Sequence, residues 1–361
     1  MLAPGSTIGI LGGGQLGRMT ALAAARLGYR SHIYTTENDS PGVQVTSTYT
    51  VASLDDEKAL AAFAKKVDVV TYETENIPLK TVEIIDKTVP ARPGAHVLEI
   101  TQDRLREKDY LRSIDVDTAP YREITGPEAL ARALHDMRQQ DASQRAILKT
   151  VRMGYDGKGQ VTVRSDSDPT ATWAHMNGSL GILEGFVDFR CEISVIVARG
   201  LNGGIATYAP VENQHANHIL DTTIAPARIP PETAMRAEAI ARHIAEKLDV
   251  IGLLAVEMFV TQDEQILVNE LAPRPHNSGH WTMDACYTSQ FEQLVRAICG
   301  LPLGSAEAHS DAVMRNLIGP DVARWADWVT EPMTKLHLYG KHEAPVGRKM
   351  GHATRLIPKR D

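Results

Sequence analysis

The segment Thr7–Met19, TIGILGGGQLGRM, constrains the fold more than any other part of the chain. A mostly apolar run of five residues reads as a buried strand, three glycines follow, and the Ala-rich stretch Leu16–Leu27 carries a helical pattern that Gly28 closes. Strand, glycine turn and helix open a βαβ unit. SHIY (31–34) and VDVVTYE (67–73) supply further strands at a spacing that admits crossover helices, so a Rossmann-like α/β domain with a parallel sheet is predicted over residues 1–100. Gly12, Gly14 and Gly17 also fit G-x-G-x-x-G, the spacing of a dinucleotide site. Glu37 and Asp39 stand 20 and 22 residues beyond Gly17, where such a site needs an acidic partner for ribose. The motif fixes a fold and leaves the ligand open.

The whole chain narrows the classes. At 361 residues it exceeds one ordinary core, and two or three domains are expected. A net charge of −7 and a pI near 6.0 argue against nucleic acid or an anionic membrane as partner, but leave room for a small anionic substrate held by a few Arg and Lys. Cys191, Cys286 and Cys299 form no C-x-x-C pair, which speaks against a disulfide framework or zinc site and fits a reducing compartment. No basic-then-apolar leader opens the sequence, and no run of about 18 apolar residues occurs in it. A cytoplasmic protein without a membrane partner is the expectation.

Downstream, TQDRLREKDYLRSI (101–114) reads as a connecting helix. RAILKT (145–150), the glycine-rich VRMGYDGKGQ (151–160) and VTVR read as strand, turn and strand; a Walker loop would need a helix after the turn. Beyond them come the strands GILEGFV, CEISVIVA and GGIATYAPV, a helix over 233–248, the strands GLLAVEMFV and QILVNE around a turn at Thr261–Glu264, and a helix over 290–299.

Several constellations carry chemistry. GYDGKGQ (154–160) can close over phosphates through its backbone N–H groups, with Lys149 and Lys158 adding charge, although an ordinary D-G hairpin turn with solvated lysines fits the same residues. Glu257 and Glu270 interrupt apolar strands, where a carboxylate is expensive unless paired or bound to a cation. On strands joined by a tight hairpin they stand side by side with Asn269, an oxygen-rich set suited to Mg²⁺ bridging nucleotide phosphates. Two carboxylates alternating out to solvent is the plainer reading, and the polar RPHNSGH directly behind them weighs against it. Arg274 and His276 leave one face if that segment is extended. A guanidinium suits a planar anion such as bicarbonate and an imidazole can donate or accept a proton, while a structural ion pair accounts for either residue alone. Lys341 and Arg348 flank a Pro-Gly turn and can clamp a phosphate or decorate a basic loop.

Taken in order, GILGGGQLGRM, YETENIP, GYDGKGQ and NELAPRPHNSGHWT resemble the 5-(carboxyamino)imidazole ribonucleotide synthetases, biotin-independent ATP-grasp enzymes of purine biosynthesis. The likeness runs from residue 8 to about residue 353, and its last segment is the most specific. It implies a mixed α/β and α+β architecture: a Rossmann-like pre-ATP-grasp domain (1–100), a connector with a small central lid (101–187), and a C-terminal α+β domain ending in a small substrate-binding subdomain (188–361). A homodimer is implied as well. In the implied reaction ATP phosphorylates bicarbonate to carboxyphosphate, which by way of CO₂ carboxylates the exocyclic amine of 5-aminoimidazole ribonucleotide and releases ADP and phosphate.

Carried residue by residue, the resemblance implies that Arg104 and Lys149 contact phosphate and adenine and that Gly154, Tyr155, Asp156, Gly157, Lys158, Gly159 and Gln160 cover the phosphates. Glu184, Gly185, Phe186 and Val187 meet the adenine edge, Glu192 holds the ribose hydroxyls, and His215 and Asn269–Glu270 complete the nucleotide site. Glu257 and Glu270 are the implied Mg²⁺ ligands, with Mn²⁺ as the alternative ion. Gln15, Leu16 and Glu75, with Tyr155 and Asp156 from the lid and Lys341 and Arg348 as phosphate clamp, are the implied ribotide contacts; Arg274 and His276 form the bicarbonate pocket. Joining two anions demands cations, and a water-labile intermediate demands a lid that closes before chemistry. Asp156 is the candidate acceptor of the amine proton, so its replacement by Asn is expected to slow carboxylation and spare ATP binding. Thr74 stands where an apolar or aromatic residue is common, a departure that bears on packing.

Three rival readings are weighed against this one. A nicotinamide-dependent oxidoreductase leaves Glu257, Glu270 and RPHNSGH without a role. A formate-dependent glycinamide ribotide transformylase or a biotin carboxylase is nearer, but no carrier domain with a biotinyl lysine is seen and no biotin is expected. A non-catalytic nucleotide-binding module needs neither the paired carboxylates nor the Arg–His pair.

Overall fold

Three sheets organise the computed structural model, which describes residues 1–140, 145–154 and 159–359. The first comprises β1 (Thr7–Leu11), β2 (Arg30–Thr35), β3 (Thr48–Val51) and β4 (Val69–Tyr72), all parallel, in the order β3-β2-β1-β4. Because β1 is central and covered on both faces, TIGIL is continuously apolar and does not alternate. The helix Gln15–Arg26 follows, and Gly28 ends it at φ +79°, its N–H and that of Tyr29 satisfying the carbonyls of Ala25 and Ala24.

The second sheet is antiparallel: β5 (Tyr121–Ile124), β6 (Arg145–Thr150), β7 (Gln160–Arg164) and β8 (Gly181–Gly185), in the order β5-β8-β6-β7. Lys149 faces Gln160 across the β6–β7 hairpin, as the glycine-rich turn predicts. This sheet has its own apolar core, formed by Ile124, Leu130, Leu134, Ala146, Leu148, Val163 and Met176.

The third sheet has nine strands: β9 (Phe189–Arg199), β10 (Ile205–Thr207), β11 (Val211–Ala216), β12 (Ile219–Ala225), β13 (Gly252–Thr261), β14 (Ile266–Ala272), β15 (Ser310–Ile318), β16 (Thr334–Leu338) and β17 (Lys349–Pro358). Their order is β14-β13-β9-β11-β12-β15-β17-β16, with β10 added beside β9, and every pairing is antiparallel. The helix Pro231–Lys247 covers one face through Ala237, Ala241 and Ile244. On the other face, Trp281, Phe291 and Leu294 join Ile8, Leu16 and Met19 of the first sheet's layer in one apolar cluster. The first and third sheets therefore share a core, and the second does not. Among the described residues no helix is long and apolar enough to cross a membrane.

Two elements differ from the sequence reading. The helix expected over 101–114 is broken: one helix ends at Thr101, and Asp103 caps a second, Arg104–Ser113, by accepting the Arg106 N–H at 3.2 Å. The helical pattern runs through Gln102 unmarked, and a single carboxylate makes the break. The strand expected over GGIATYAPV divides into β10 and the start of β11, with Pro210, which has no N–H to give a ladder, in the gap.

Candidate active site

A cleft of about 810 Å³ opens where the three sheets meet. Gln15, Leu16 and Glu75 line it from the first layer, Arg104 from the connecting helix, and Lys149, Gly154, Gln160 and Phe186 from the second sheet. Glu192, His215, Glu257, Asn269, Glu270, Arg274 and His276 complete it from the third. Four further candidates stand behind this lining. Gly159, at φ +73°, gives its carbonyl to the Thr150 N–H; Glu184 is buried behind Lys149; Gly185 donates to the Pro120 carbonyl at 2.8 Å; and Val187 lies between β8 and β9. Lys341 and Arg348 sit outside the cleft wall. Tyr155, Asp156, Gly157 and Lys158 lie outside the described residues.

Glu257 and Glu270 are directly opposed across β13 and β14, and the register slips immediately after Glu257, leaving Asn269 as the extra residue of a bulge. Such a bulge bends an edge strand and re-aims its side chains. β14 is the sheet edge, where Val268 pairs with Thr118 in an isolated bridge and the helix Arg104–Ser113 holds the strand. Lys108 Nζ donates to the carbonyls of Val268 (3.2 Å) and Asn269 (2.7 Å), and the Leu271 N–H donates to Glu107 Oε2 (2.9 Å). Burial and the charge of Glu257 push the Glu270 carboxyl above its ordinary value, and Arg104, whose Nη2 is 3.9 Å away, offsets this only in part. Burial works on Glu257 in the same sense, but the His276 Nε2 donor at 2.9 Å, with His215 and Arg274 nearby, holds it well below the usual carboxylate range. Glu270 is the member of the pair short of positive charge, since Arg104 and Lys149 do not offset its burial and the charge of Glu257. Among the described residues no three His, Cys, Asp or Glu are placed to hold a metal ion together, so a divalent cation would take these two carboxylates and fill its shell from phosphate and water.

At another end, Lys149 Nζ meets Glu184 at 2.7 Å with Lys108 at 3.8 Å; burial pushes Glu184 up, and the two lysines bring it net below its ordinary value. Phe189 and Phe259 stack at 4.8 Å beside Ile147, and the Arg145 guanidinium covers Phe186 at 3.9 Å. This combination of aromatic faces and one buried ion pair suits a flat heterocycle. His215 Nδ1 and Glu192 lie 2.7 Å apart at the rim.

The glycine turn holds a surprise. The N–H groups of Gly14 and Gly17 donate to the two carboxylate oxygens of Glu73 at 2.5 and 2.7 Å. A carboxylate from the end of β4 thus occupies the helix N-terminus that a dinucleotide pyrophosphate would need. A Cβ on Gly12 or Gly14 would come within 2.3 or 2.7 Å of Glu73. The glycines admit a side chain, and the nicotinamide reading is overturned. Glu75 grips Arg274 through both Nε and Nη2, so the guanidinium carries a partner of its own. Lys341 donates to the Lys349 carbonyl at 2.7 Å, and burial followed by the Arg348 charge lowers its ammonium to about 8.

The comparisons with known proteins fit this geometry. Residues 5–102 match the ribonucleotide synthetase preATP-grasp domain, residues 109–291 the ATP-grasp domain, and residues 312–361 the phosphoribosylaminoimidazole carboxylase C-terminal domain. An N5-carboxyaminoimidazole ribonucleotide synthase of Brucella melitensis is 47% identical over 360 residues, 99% of this chain and 98% of the relative. The chain belongs to the N5-carboxyaminoimidazole ribonucleotide synthase family. It is an ATP-grasp ligase of purine biosynthesis. The Bacillus subtilis synthase is 42% identical over 98% of the chain and 92% of its own length. The Staphylococcus aureus synthetase complexed with ADP superposes with a TM-score of 0.91 at 36% identity, covering 100% of this chain and 95% of that one. The Aspergillus clavatus synthase, in complex with ADP and 5-aminoimidazole ribonucleotide, gives 0.91 at 30% identity, covering 99% and 95%.

In this synthase-family chain, sequence reasoning passed over Glu73, Glu107, Lys108, His280 and Lys349, of which all but Lys108 line the cleft. Glu73 had a signal, since it stands two residues before Glu75 at the end of a buried strand. Lys349 directly follows Arg348 in the same basic loop. Glu107 and Lys108 lie in the segment read only as a connecting helix, and their role shows in their long-range partners on β14.

Proposed function

We propose that this chain carboxylates the exocyclic amine of 5-aminoimidazole ribonucleotide with ATP and bicarbonate. The observation that carries the reading is the cleft itself, in which an aromatic pocket with a buried Lys–Glu pair, two opposed carboxylates and an Arg–His segment follow one another. The γ-phosphoryl group passes to a bicarbonate oxygen, ADP leaves, and carboxyphosphate forms. The ribotide amine then takes the carboxyl carbon, directly or as CO₂, the C–O bond to phosphate breaks, and the amine loses a proton. Adenine is assigned to Ile147, Phe186, Phe189 and Phe259, the phosphates to Arg104 and Lys149, and the ribose to Glu192 with His215.

Glu257 and Glu270 would hold Mg²⁺, or Mn²⁺ in its place, and that ion would neutralise phosphate charge during transfer. Arg274, held by Glu75, and His276 are assigned to the bicarbonate side, Gln15, Leu16 and Glu75 to the ribotide, and Lys341 with Arg348 to its phosphate. Two cations kept close enough to repel each other are the signature of an anion site. Tyr155 and Asp156, with Asp156 taking the amine proton, are assigned from the resemblance alone. A homodimer is part of the same proposal, as is a cytoplasmic location, which the three unpaired cysteines suit.

ADP release by the purified chain with ATP and Mg²⁺ tests the reading. It should depend on both bicarbonate and 5-aminoimidazole ribonucleotide, and ATP turnover indifferent to both would overturn it.

A further inference from the structure

His276 sits at the end of a hydrogen-bonded line that runs away from the cleft into the third sheet. Its Nδ1 is 2.8 Å from Ser278 Oγ; Ser278 Oγ is 2.6 Å from Ser194 Oγ; Asn213 Nδ2 donates to Ser194 Oγ at 3.0 Å; and Thr223 Oγ1 donates to Asn213 Oδ1 at 3.2 Å. Ser194, Ser278 and Thr223 are fully buried, so each hydroxyl has to spend its proton within the line.

The direction is set at both ends. At the cleft end, Nε2 lies 2.9 Å from the Glu257 carboxylate, which only accepts, so Nε2 carries a proton. On the other side of the ring the Ser278 backbone N–H also points at Nδ1, at 3.4 Å, so Nδ1 is an acceptor. Run in reverse, the line would set a proton on Nδ1 against that N–H and a lone pair on Nε2 against the carboxylate. Only one order satisfies every group: Ser194 donates to Ser278, and Ser278 donates to His276 Nδ1. The loop that carries the imidazole is itself fixed, because Gln290 accepts the His276 N–H at 2.9 Å and donates to the His276 carbonyl at 2.8 Å.

We infer that Ser278 and Ser194 are positioning residues that hold the His276 ring with Nδ1 as acceptor, so that His276 presents its Nε2–H to this site as a fixed donor. The Nδ1 lone pair is taken by two donors and faces away from the cleft; Nε2 has no lone pair to offer while it holds its proton. The role of His276 is then to donate to Glu257 or to an oxygen of the reacting anion that displaces it. This rests on the proposed placement of His276 beside bicarbonate, but the tautomer can be read without any substrate.

The test uses the full chain with ¹⁵N-labelled histidine, with H276Q identifying the His276 resonances. Wild type should show Nε2 protonated and Nδ1 bare. S278A should mix the two tautomers, S278T should restore the lock, and S194A should shift His276 in the same direction with Ser278 in place. In ADP release, S278A should lower kcat about tenfold, the scale of a lost orienting partner, and leave KM for ATP within about twofold. H276Q, which keeps an N–H at the Nε2 position but cannot take up a proton, should retain at least about tenfold more activity than H276A. A proton on Nδ1 in wild type, wild-type tautomer and turnover in S278A, or H276Q as inactive as H276A would each overturn the inference. Should S278A not fold, S194A decides on the same readouts. A correct tautomer in a chain that ignores bicarbonate and ribotide would overturn the proposed function and leave the tautomer lock standing.

Discussion

The two carboxylate pairs on opposite sides of the cleft are treated differently by the fold. On the side of the first sheet, Glu73 binds two backbone N–H groups and Glu75 binds a guanidinium through two nitrogens. On the side of the third sheet, Glu257 and Glu270 face each other with an imidazole donor at one and a cation 3.9 Å from the other. Glu257 and Glu270 stand within apolar strands, and Glu73 and Glu75 follow one, so sequence alone does not tell what each carboxylate meets. Burial raises Glu73 and Glu270 alike, and partners lower Glu75 and Glu257; what separates the pairs is that Glu73 has two backbone N–H donors, whereas Glu270 has Arg104 at 3.9 Å to offset burial and the charge of Glu257. The first pair is met by the chain's own donors and positions other groups; the second leaves Glu270 in deficit, where the proposed cation would sit.

Removing a carboxylate from the deficient pair should have the largest effect. E270Q and E257Q should each lower kcat/KM for ATP by roughly 10²–10³-fold, the scale of losing one preorganised electrostatic group, with the Mg²⁺ requirement shifted to higher concentration. Stability in the presence of chelator should split the two. Glu270 is raised in the folded state, so its ionisation costs stability once pH exceeds the ordinary carboxylate range; its side chain is 43% exposed to the cleft, which screens that cost, and E270Q should melt level with or slightly above wild type. Glu257 is depressed, so its contribution is present at neutral pH and is lost as pH falls through the folded value; E257Q should melt below wild type. Equal melting shifts for the two variants, read by thermal unfolding at neutral pH, would remove the contrast between them.

The satisfied pair can be broken from its partner's side. A Cβ on Gly14 would stand 2.7 Å from Glu73 Oε1, so G14A should cost about 1–3 kcal/mol by overpacking. In an E73A background that cost should largely vanish, because the clashing side chain is gone. Denaturant unfolding of the four proteins gives the coupling, expected at about 1–2 kcal/mol. Additive changes would mean that Gly14 serves something other than the Glu73 carboxylate.

Much of the fold was legible in the sequence, and so was the opposition of Glu257 to Glu270. The continuous apolar run of β1, the Gly28 terminus and the β6–β7 hairpin are local signals, and a short turn between two strands dictates which residues face each other. The contacts that tell the carboxylates apart are remote: Glu73 reaches Gly14 across 59 positions and Arg274 reaches Glu75 across 199. No periodicity encodes such partners. The Asn269 bulge and the Asp103 cap were missed for a related reason, since each is one residue's departure inside a pattern that otherwise continues. The glycine fingerprint was the most misleading feature, because a close approach to backbone is equally necessary for a phosphate and for a carboxylate of the chain itself.

The smallest expected effect lies at Lys341 and Arg348, the proposed phosphate clamp, where burial and a neighbouring cation hold Lys341 below its ordinary value. Burial and then Arg348 lower Lys341 to about 8, so its ammonium is half lost at that pH. Binding of a phosphate favours the charged form, and kcat/KM for the ribotide, which reports the free enzyme, should fall as pH rises through about 8. The loss should be about twofold at the midpoint and should grow toward tenfold per unit beyond it. K341R keeps its charge across this range and should remove the alkaline limb while leaving KM for ATP unchanged. A limb that persists in K341R would place the titrating group elsewhere, and Lys341 would then join the satisfied side of the comparison.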